Sequence, residues 1–244
     1  MAKRKTEIPL PSRWADDPLS EFIQAAFKNS LATFVHKRHA FDLLLKIDGA
    51  FRKIGENLDN AGSPLVPALL HRSHSAFLAS CRLSMSGQAV ETFPLLRSCL
   101  EYALYALHIN ENPVLAEVWI CRHENEESLR KAKRSFKHVR VMQTLLNSNA
   151  ALHSDLTKLY ERTIDFGGHP NERGVSSSAA MRTEGGVVAI RNQFLHGDSL
   201  ALDHALKTAA QISLGSLMVF RLIFRERFDQ LRISETIDSL GRVL

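Results

Sequence analysis

PLLRSCLEYALYALHI, residues Pro94 to Ile109, decides the fold class. Leu96, Leu100, Ala103, Leu104 and Leu107 recur at the three- and four-residue steps of a single helix face. No convincing run of alternating apolar and polar residues occurs anywhere in the 244-residue chain, so sheet has no comparable signal. A hydrophobic fraction of 45% suffices for a real core without disulfide or metal staples.

The same spacing extends outward from this stretch. Asp17-Pro18 is a helix start, with the acid as cap and proline at the first helical position. Leu19, Phe22, Ile23, Ala26 and Phe27, then Phe41, Leu44, Leu45 and Ile47, predict one long helix or two in series, ending near Leu58. Asn60-Ala61-Gly62 breaks it, Ser63-Pro64 opens the next helix, and Gly87 interrupts that one after Met85. Thr92 or a neighbour caps the following helix, which places Pro94 in its first turn. Asn112-Pro113 starts a helix through Trp119, and shorter ones cover 127–147 and 150–165. Helix resumes over Val187 to Leu195. A long amphipathic segment then runs from about Ser199 to Leu231, with Leu202, Leu206, Ala209, Ile212 and Leu217 on its apolar side.

The expected architecture is all-α: a flexible tail over 1–16 and a single helical domain over 17–244. This multi-helix bundle carries a long irregular loop at 166–186 before the last long helix. That loop holds five of the 12 glycines and three consecutive serines, and connections of such length are usually functional or mobile.

Three cysteines without a CxxC pair, and a basic start with no apolar stretch behind it, predict reduced thiols in a cytoplasmic protein. The uncharged run Thr208 to Phe220 is too short to cross a bilayer and reads as a buried helix, so no membrane partner is expected. A net charge of +5 permits nucleic-acid binding without requiring it. The densest basic stretch is Arg122 to Arg140, with Arg130, Lys131, Lys133, Arg134 and Lys137. Its ordinary reading is a solvated helix face balanced by Glu124, Glu126 and Glu127.

The sharpest chemical feature is Arg191-Asn192-Gln193-Phe194-Leu195-His196-Gly197. A guanidinium grips phosphate in a planar fork and keeps its charge, and an imidazole shuttles a proton near neutral pH. An Arg followed by a polar residue, with a His five positions on and a glycine after it, resembles the signature of the HEPN superfamily. That family consists of helical-bundle proteins, many of them metal-independent ribonucleases. The resemblance implies a homodimer acting on RNA, with Arg191 and His196 meeting their counterparts at a dimer groove. Arg191 would stabilise charge on the scissile phosphate, His196 would handle the 2′-hydroxyl proton, and Asn192 would support the motif. On a straight helix five positions span about 140°, so convergence needs a second protomer or a helix end at Gly197. The bland reading makes Arg191 an ion-pair partner and His196 the last turn of a helix capped by Gly197.

A second cluster lies at Asp165-Phe166-Gly167-Gly168-His169-Pro170-Asn171-Glu172-Arg173, where the glycines stop a helix. His169, Asn171 and Arg173, with Asp198 beyond the motif, are the candidate substrate-binding residues. The bland reading is a turn in which Asp165 and Asn171 satisfy backbone groups. Of the pairs His36/His39 and His71/His74, neither has the carboxylates of a di-iron bundle, and cations flank both. Arg97 and Glu101, one turn apart in an apolar helix, either brace the bundle or line a polar pocket with Tyr102 or Tyr105. The stretch from Leu95 to Trp119 is also similar to bacterial helical proteins to which no activity is assigned.

Walker, GxGxxG, HExxH and GxSxG motifs do not occur, so no cofactor is expected. The leading expectation is an HEPN-like RNA-binding protein or ribonuclease working without metal. A non-enzymatic helical module binding a ligand or protein partner is the alternative. A metal-dependent hydrolase built on His169, His196, Asp198 and His204 is the second.

Overall fold

The computed structural model describes residues 10–58, 63–168, 170, 172–184 and 187–244, with backbone alone for 168, 180–184 and 187–191. Its architecture is all-α, with twelve α-helices and a single two-stranded hairpin among the described residues. The N-terminal apolar repeat resolves into two helices, α1 (Pro18–His36) and α2 (Arg38–Gly55), which break at Lys37. Asp17 caps α1 by accepting from the Leu19 and Ser20 amides, both at 3.0 Å.

Three helices make the centre: α3 (Leu65–Ser86), α4 (Ala89–Glu111) and α10 (Leu200–Ile223). Leu96, Leu100, Ala103, Leu104 and Leu107 of α4 are all buried in one continuous core with Phe51, Phe77 and Phe220. Each such leucine or phenylalanine contributes about 1.5–3 kcal/mol by leaving water. α10 is buried on nearly every side. It is long and apolar enough by composition to cross a membrane, yet 67% of its most apolar window lies inside the bundle.

The smaller helices α5 (Val114–Ile120), α6 (Glu126–Ser135), α7 (His138–Ser148) and α8 (Ala150–Thr163) flank α4. A 3₁₀ turn, Cys121–His123, joins α5 to α6. Asn125 and Asn149 cap α6 and α8, each accepting a backbone amide at 2.9 Å. The chain closes with α11 (Arg225–Gln230) and α12 (Ile233–Gly241).

Two sequence expectations need correction. The segment 166–195 is not a loop followed by helix. A π turn, Ile164–Gly168, leads to the short α9 (Glu172–Ser176) and then to an antiparallel hairpin, β1 (Ala179–Glu184) with β2 (Val187–Asn192). The β-branched run Val187, Val188, Ile190 prefers this pleated pairing to helix. Pro94 lies in the second turn of α4, not the first, because α4 starts at Ala89. Its missing N–H frees the Val90 carbonyl, and Gly167 approaches that oxygen so closely that any Cβ there would collide with it.

The polar residues of the bundle are braced in pairs. Arg97 donates to Glu101 at 2.9 Å, and the third partner is Tyr160 of α8 (3.0 Å), not Tyr102 or Tyr105. His74 stacks on Phe51 at 5.1 Å and bonds Asp48 at 2.7 Å, while Arg52 donates to the same carboxylate at 2.7 Å. Burial pushes the Asp48 carboxyl up, but the bonds from Arg52 and His74 outweigh it and hold it below its ordinary 3.8. A carboxyl depressed in the folded state stabilises above its unfolded value and loses that contribution as pH falls through the folded one. Asp48→Asn is therefore expected to lower the melting temperature by about 3 °C at pH 7, a gap that closes as pH falls below 3.8 through the depressed folded-state value. Thermal melts of both chains from pH 7 to 2.5 check this, and a gap independent of pH contradicts it.

Candidate functional site

The motif segment is anchored before it reaches its histidine. α3 ends in the left-handed conformation at Gly87 (φ +86°), and the Gly87 carbonyl accepts the His196 amide at 2.8 Å. Asn29 of α1 closes the other side by donating to the carbonyls of Ser86 (2.7 Å) and His196 (2.9 Å). Residue 196 is thus fixed through its backbone by two elements distant in sequence. Its side chain is buried, at 6% exposure.

His196 does not vanish into the closed core. It lines a cavity of about 280 Å³ between the starts of α4 and α10, together with Phe93, Phe166, Ser177, Leu200 and His204. Leu200 is 88% exposed, which puts the mouth of the cavity at the surface. Phe93 and Phe166 stack at 5.5 Å, and His204 meets Phe166 edge-on at 4.6 Å. Burial, and then the positive charge of Arg162, hold His204 below its ordinary 6.5, so it is neutral at pH 7. The space is flat-walled and mostly apolar, with two imidazoles and a hydroxyl as its polar groups. Such a lining suits a planar heteroaromatic body.

The other sequence candidates distribute around this cavity rather than inside it. Arg191 and Asn192 lie on β2, where Arg191 pairs by backbone with Ala180 and Asn192 with Ala179. The helix expected over these residues is absent, so His196 is no last-turn residue. It precedes the Ser199 cap of α10 (Ser199 Oγ to the Leu202 amide, 3.3 Å). Asp198 faces away from the cavity, toward α1. Lys37 bonds it at 2.6 Å and Asp203 at 2.9 Å, so hydrogen bonding to that ammonium holds the Asp198 carboxyl low and the lysine high. Arg173 of α9 pairs with Asp165 at 2.9 Å and lies 5.9 Å over the Phe166 ring. His169 and Asn171 fall outside the described residues, as does the side chain of Arg191.

Of the hydrolase set, His196 and His204 share the cavity and Asp198 does not. Among the described residues no three His, Cys, Asp or Glu side chains converge as metal ligands. Sequence reading missed Phe93 and Phe166 as site residues, because an aromatic at helical spacing reads as core. It missed Asn29 and Gly87 because their partner is far away in the chain. His204 carried a signal, a second histidine one helix start beyond the first.

Comparison with protein-family models, with curated proteins and with solved structures returns no match.

Proposed function

We propose that this chain acts on single-stranded RNA, seating a splayed-out base in the His196–His204 cavity. The observation that carries the reading is that the motif histidine borders an open cavity with two stacked phenylalanines. Unpaired RNA bases are recognised by stacking on aromatic rings and by hydrogen bonds to their edges. Phe93 and Phe166 supply the first, and His196, His204 and Ser177 the second. In the HEPN-like form of the reading, His196 takes the 2′-hydroxyl proton while Arg191 steadies the phosphate. The 2′-oxygen then bonds the phosphorus as the P–O5′ bond breaks, giving a 2′,3′-cyclic phosphate, and the 5′-oxygen leaves with a proton from water.

The working unit is a homodimer built on α1. Leu19, Ile23, Phe27, Leu31, Phe34 and Val35 stay 37–68% exposed along one side of that helix. Together they present about 600–700 Å² of apolar surface, on the scale of ~200 Å² per large side chain. That matches the ~800 Å² each partner buries in a standard interface and exceeds an ordinary monomer patch. Phe194 of the motif, 64% exposed and edge-on to Phe22 at 6.4 Å, continues the same surface. Docking two copies there sets both motif segments at one interface.

A non-enzymatic reading of the same cavity is favoured by the burial of His196, which suits a fixed contact better than a proton shuttle. Binding and cleavage of a looped RNA, with and without EDTA, separate the two. Phe166→Ala is expected to weaken binding about tenfold, the worth of one base stack. Chelator-resistant cleavage that Arg191→Ala and His196→Ala both abolish establishes the ribonuclease. Binding without cleavage leaves the module, and no binding of any RNA overturns the proposal.

A further inference from the structure

A second cavity lies on the far side of α4, and its walls are rich in donors. It measures about 170 Å³ and is lined by Tyr105 of α4, Trp119 of α5, Arg122 of the 3₁₀ turn, and Lys133 and Phe136 at the end of α6. Two nitrogens of these side chains, Trp119 Nε1 and Arg122 Nε, are shut off from solvent and have no hydrogen-bond partner. Neither nitrogen is open to the recess, which leaves the rest of the Arg122 guanidinium and the Lys133 ammonium to meet an acceptor there. Arg122 and Lys133 enter no ion pair among the described residues. Burial keeps the Tyr105 hydroxyl protonated well past neutral pH, which makes it another available donor.

No carboxylate lines the cavity. Glu101, which also acts on Tyr105, is occupied by Arg97 and Tyr160. The local charge is strongly positive: residues 122–140 hold seven Arg and Lys against three Glu. Arg130, Lys131 and Arg134 stay on a solvated face, while Arg122 and Lys133 of the same run line the recess beside its aromatic walls.

We infer that this recess is a binding site for a phosphate group, held by the Arg122 guanidinium and the Lys133 ammonium beside the Tyr105 hydroxyl. A trigonal or tetrahedral oxyanion offers several acceptors to donors spread around it, and a guanidinium suits it best. The volume is below the ~300 Å³ floor of sites for drug-sized ligands, so the site takes the phosphate and not a whole nucleotide. That phosphate is either free or terminal on a larger molecule. The inference does not rest on the RNA reading of the His196 cavity.

The chain contains two tryptophans, so Trp14→Phe leaves Trp119 as the sole reporter. Inorganic phosphate, titrated against chloride at constant ionic strength, is expected to change its emission saturably. Arg122→Gln should raise the half-saturating concentration about tenfold, the worth of a hydrogen bond to a charged group. Lys133→Gln, at the exposed rim, tests the same point without touching the packing, and Arg130→Gln, bonded to Glu126, should change nothing. A 5′-phosphorylated dinucleotide that saturates at lower concentration than inorganic phosphate identifies a terminal phosphate. Equal concentrations identify the free anion. No saturable response to either probe, or an unchanged response in both Arg122→Gln and Lys133→Gln, overturns the assignment.

Discussion

Gly87→Val is expected to cost on the order of 3–5 kcal/mol of stability and to release the motif segment from its anchor. Two causes add at this position. Its backbone sits at φ +86°, where a side chain costs about 1–2 kcal/mol and a β-branched one more. A Cβ there would also run into the His196 carbonyl oxygen and the Asn29 amide nitrogen, with the His196 nitrogen at 2.9 Å. Two of these are backbone atoms, and the Asn29 amide is pinned by its bonds to the Ser86 and His196 carbonyls, so relieving the clash means moving the chain at 194–198 or the end of α3. Gly49→Ala is the contrast, since nothing lies within 4 Å of its Cβ inside α2. It should be neutral or stabilising by up to about 1 kcal/mol. Urea denaturation of the three chains reads the first effect, and hydrogen exchange at the His196 amide reads the second. A Gly87→Val chain as stable as the parent, with that amide still protected, would show that the segment is not held at Gly87.

What the sequence made legible follows from how local each cause is. Asp17-Pro18 and the left-handed end at Gly87 act within four residues, and both stand where the sequence places them. The stripe from Leu96 to Leu107 reports burial directly, because a 3.6-residue period has no other ready origin. The hairpin was legible as well. Gly185-Gly186 separates two short runs, and the second is β-branched, which is a hairpin signature at short range. Reading Val187 to Leu195 as helix weighed the apolar content above the residue types. Pro94 was misplaced for a different reason. A proline in a second helical turn is tolerated only if something else meets the freed carbonyl, and Gly167 stands 77 positions after Val90.

The site divides along the same line. His196 stood out because its residue type and spacing carry chemistry on their own. Its setting did not, since Asn29 reaches it across 167 positions of chain. Asp198 looked like a rim residue by proximity in sequence, and the structure turns it to Lys37 because α1 passes on that side. The anion recess was half visible as a basic run. Its aromatic walls and cations come from four separate elements, and no single stretch of sequence unites them.

The proposed α1 dimer gives the second large effect. Phe27→Asp is expected to weaken self-association at least ~100-fold, which is about 2.7 kcal/mol. A two-fold interface of that kind has the same patch on both copies, so one substitution would place two carboxylates in an apolar contact, and burying a charge without a partner costs several kcal/mol. Phe27 is 64% exposed in the single chain, so the protomer itself should lose little, within about 0.5 kcal/mol. Stability and assembly are thereby separable in one variant. Sedimentation at tens of micromolar should give the parent at twice its 27.4 kDa chain mass and the variant at the chain mass itself. A monomeric parent, or a variant that dimerises as the parent does, rules out α1 as the interface. The variant also bears on the chemistry, because it keeps Arg191 and His196 intact. If cleavage needs residues from two copies, Phe27→Asp must abolish it while leaving the cavity and its base contacts in each monomer unchanged. Cleavage that survives at full rate in the monomer would place every catalytic group in one chain.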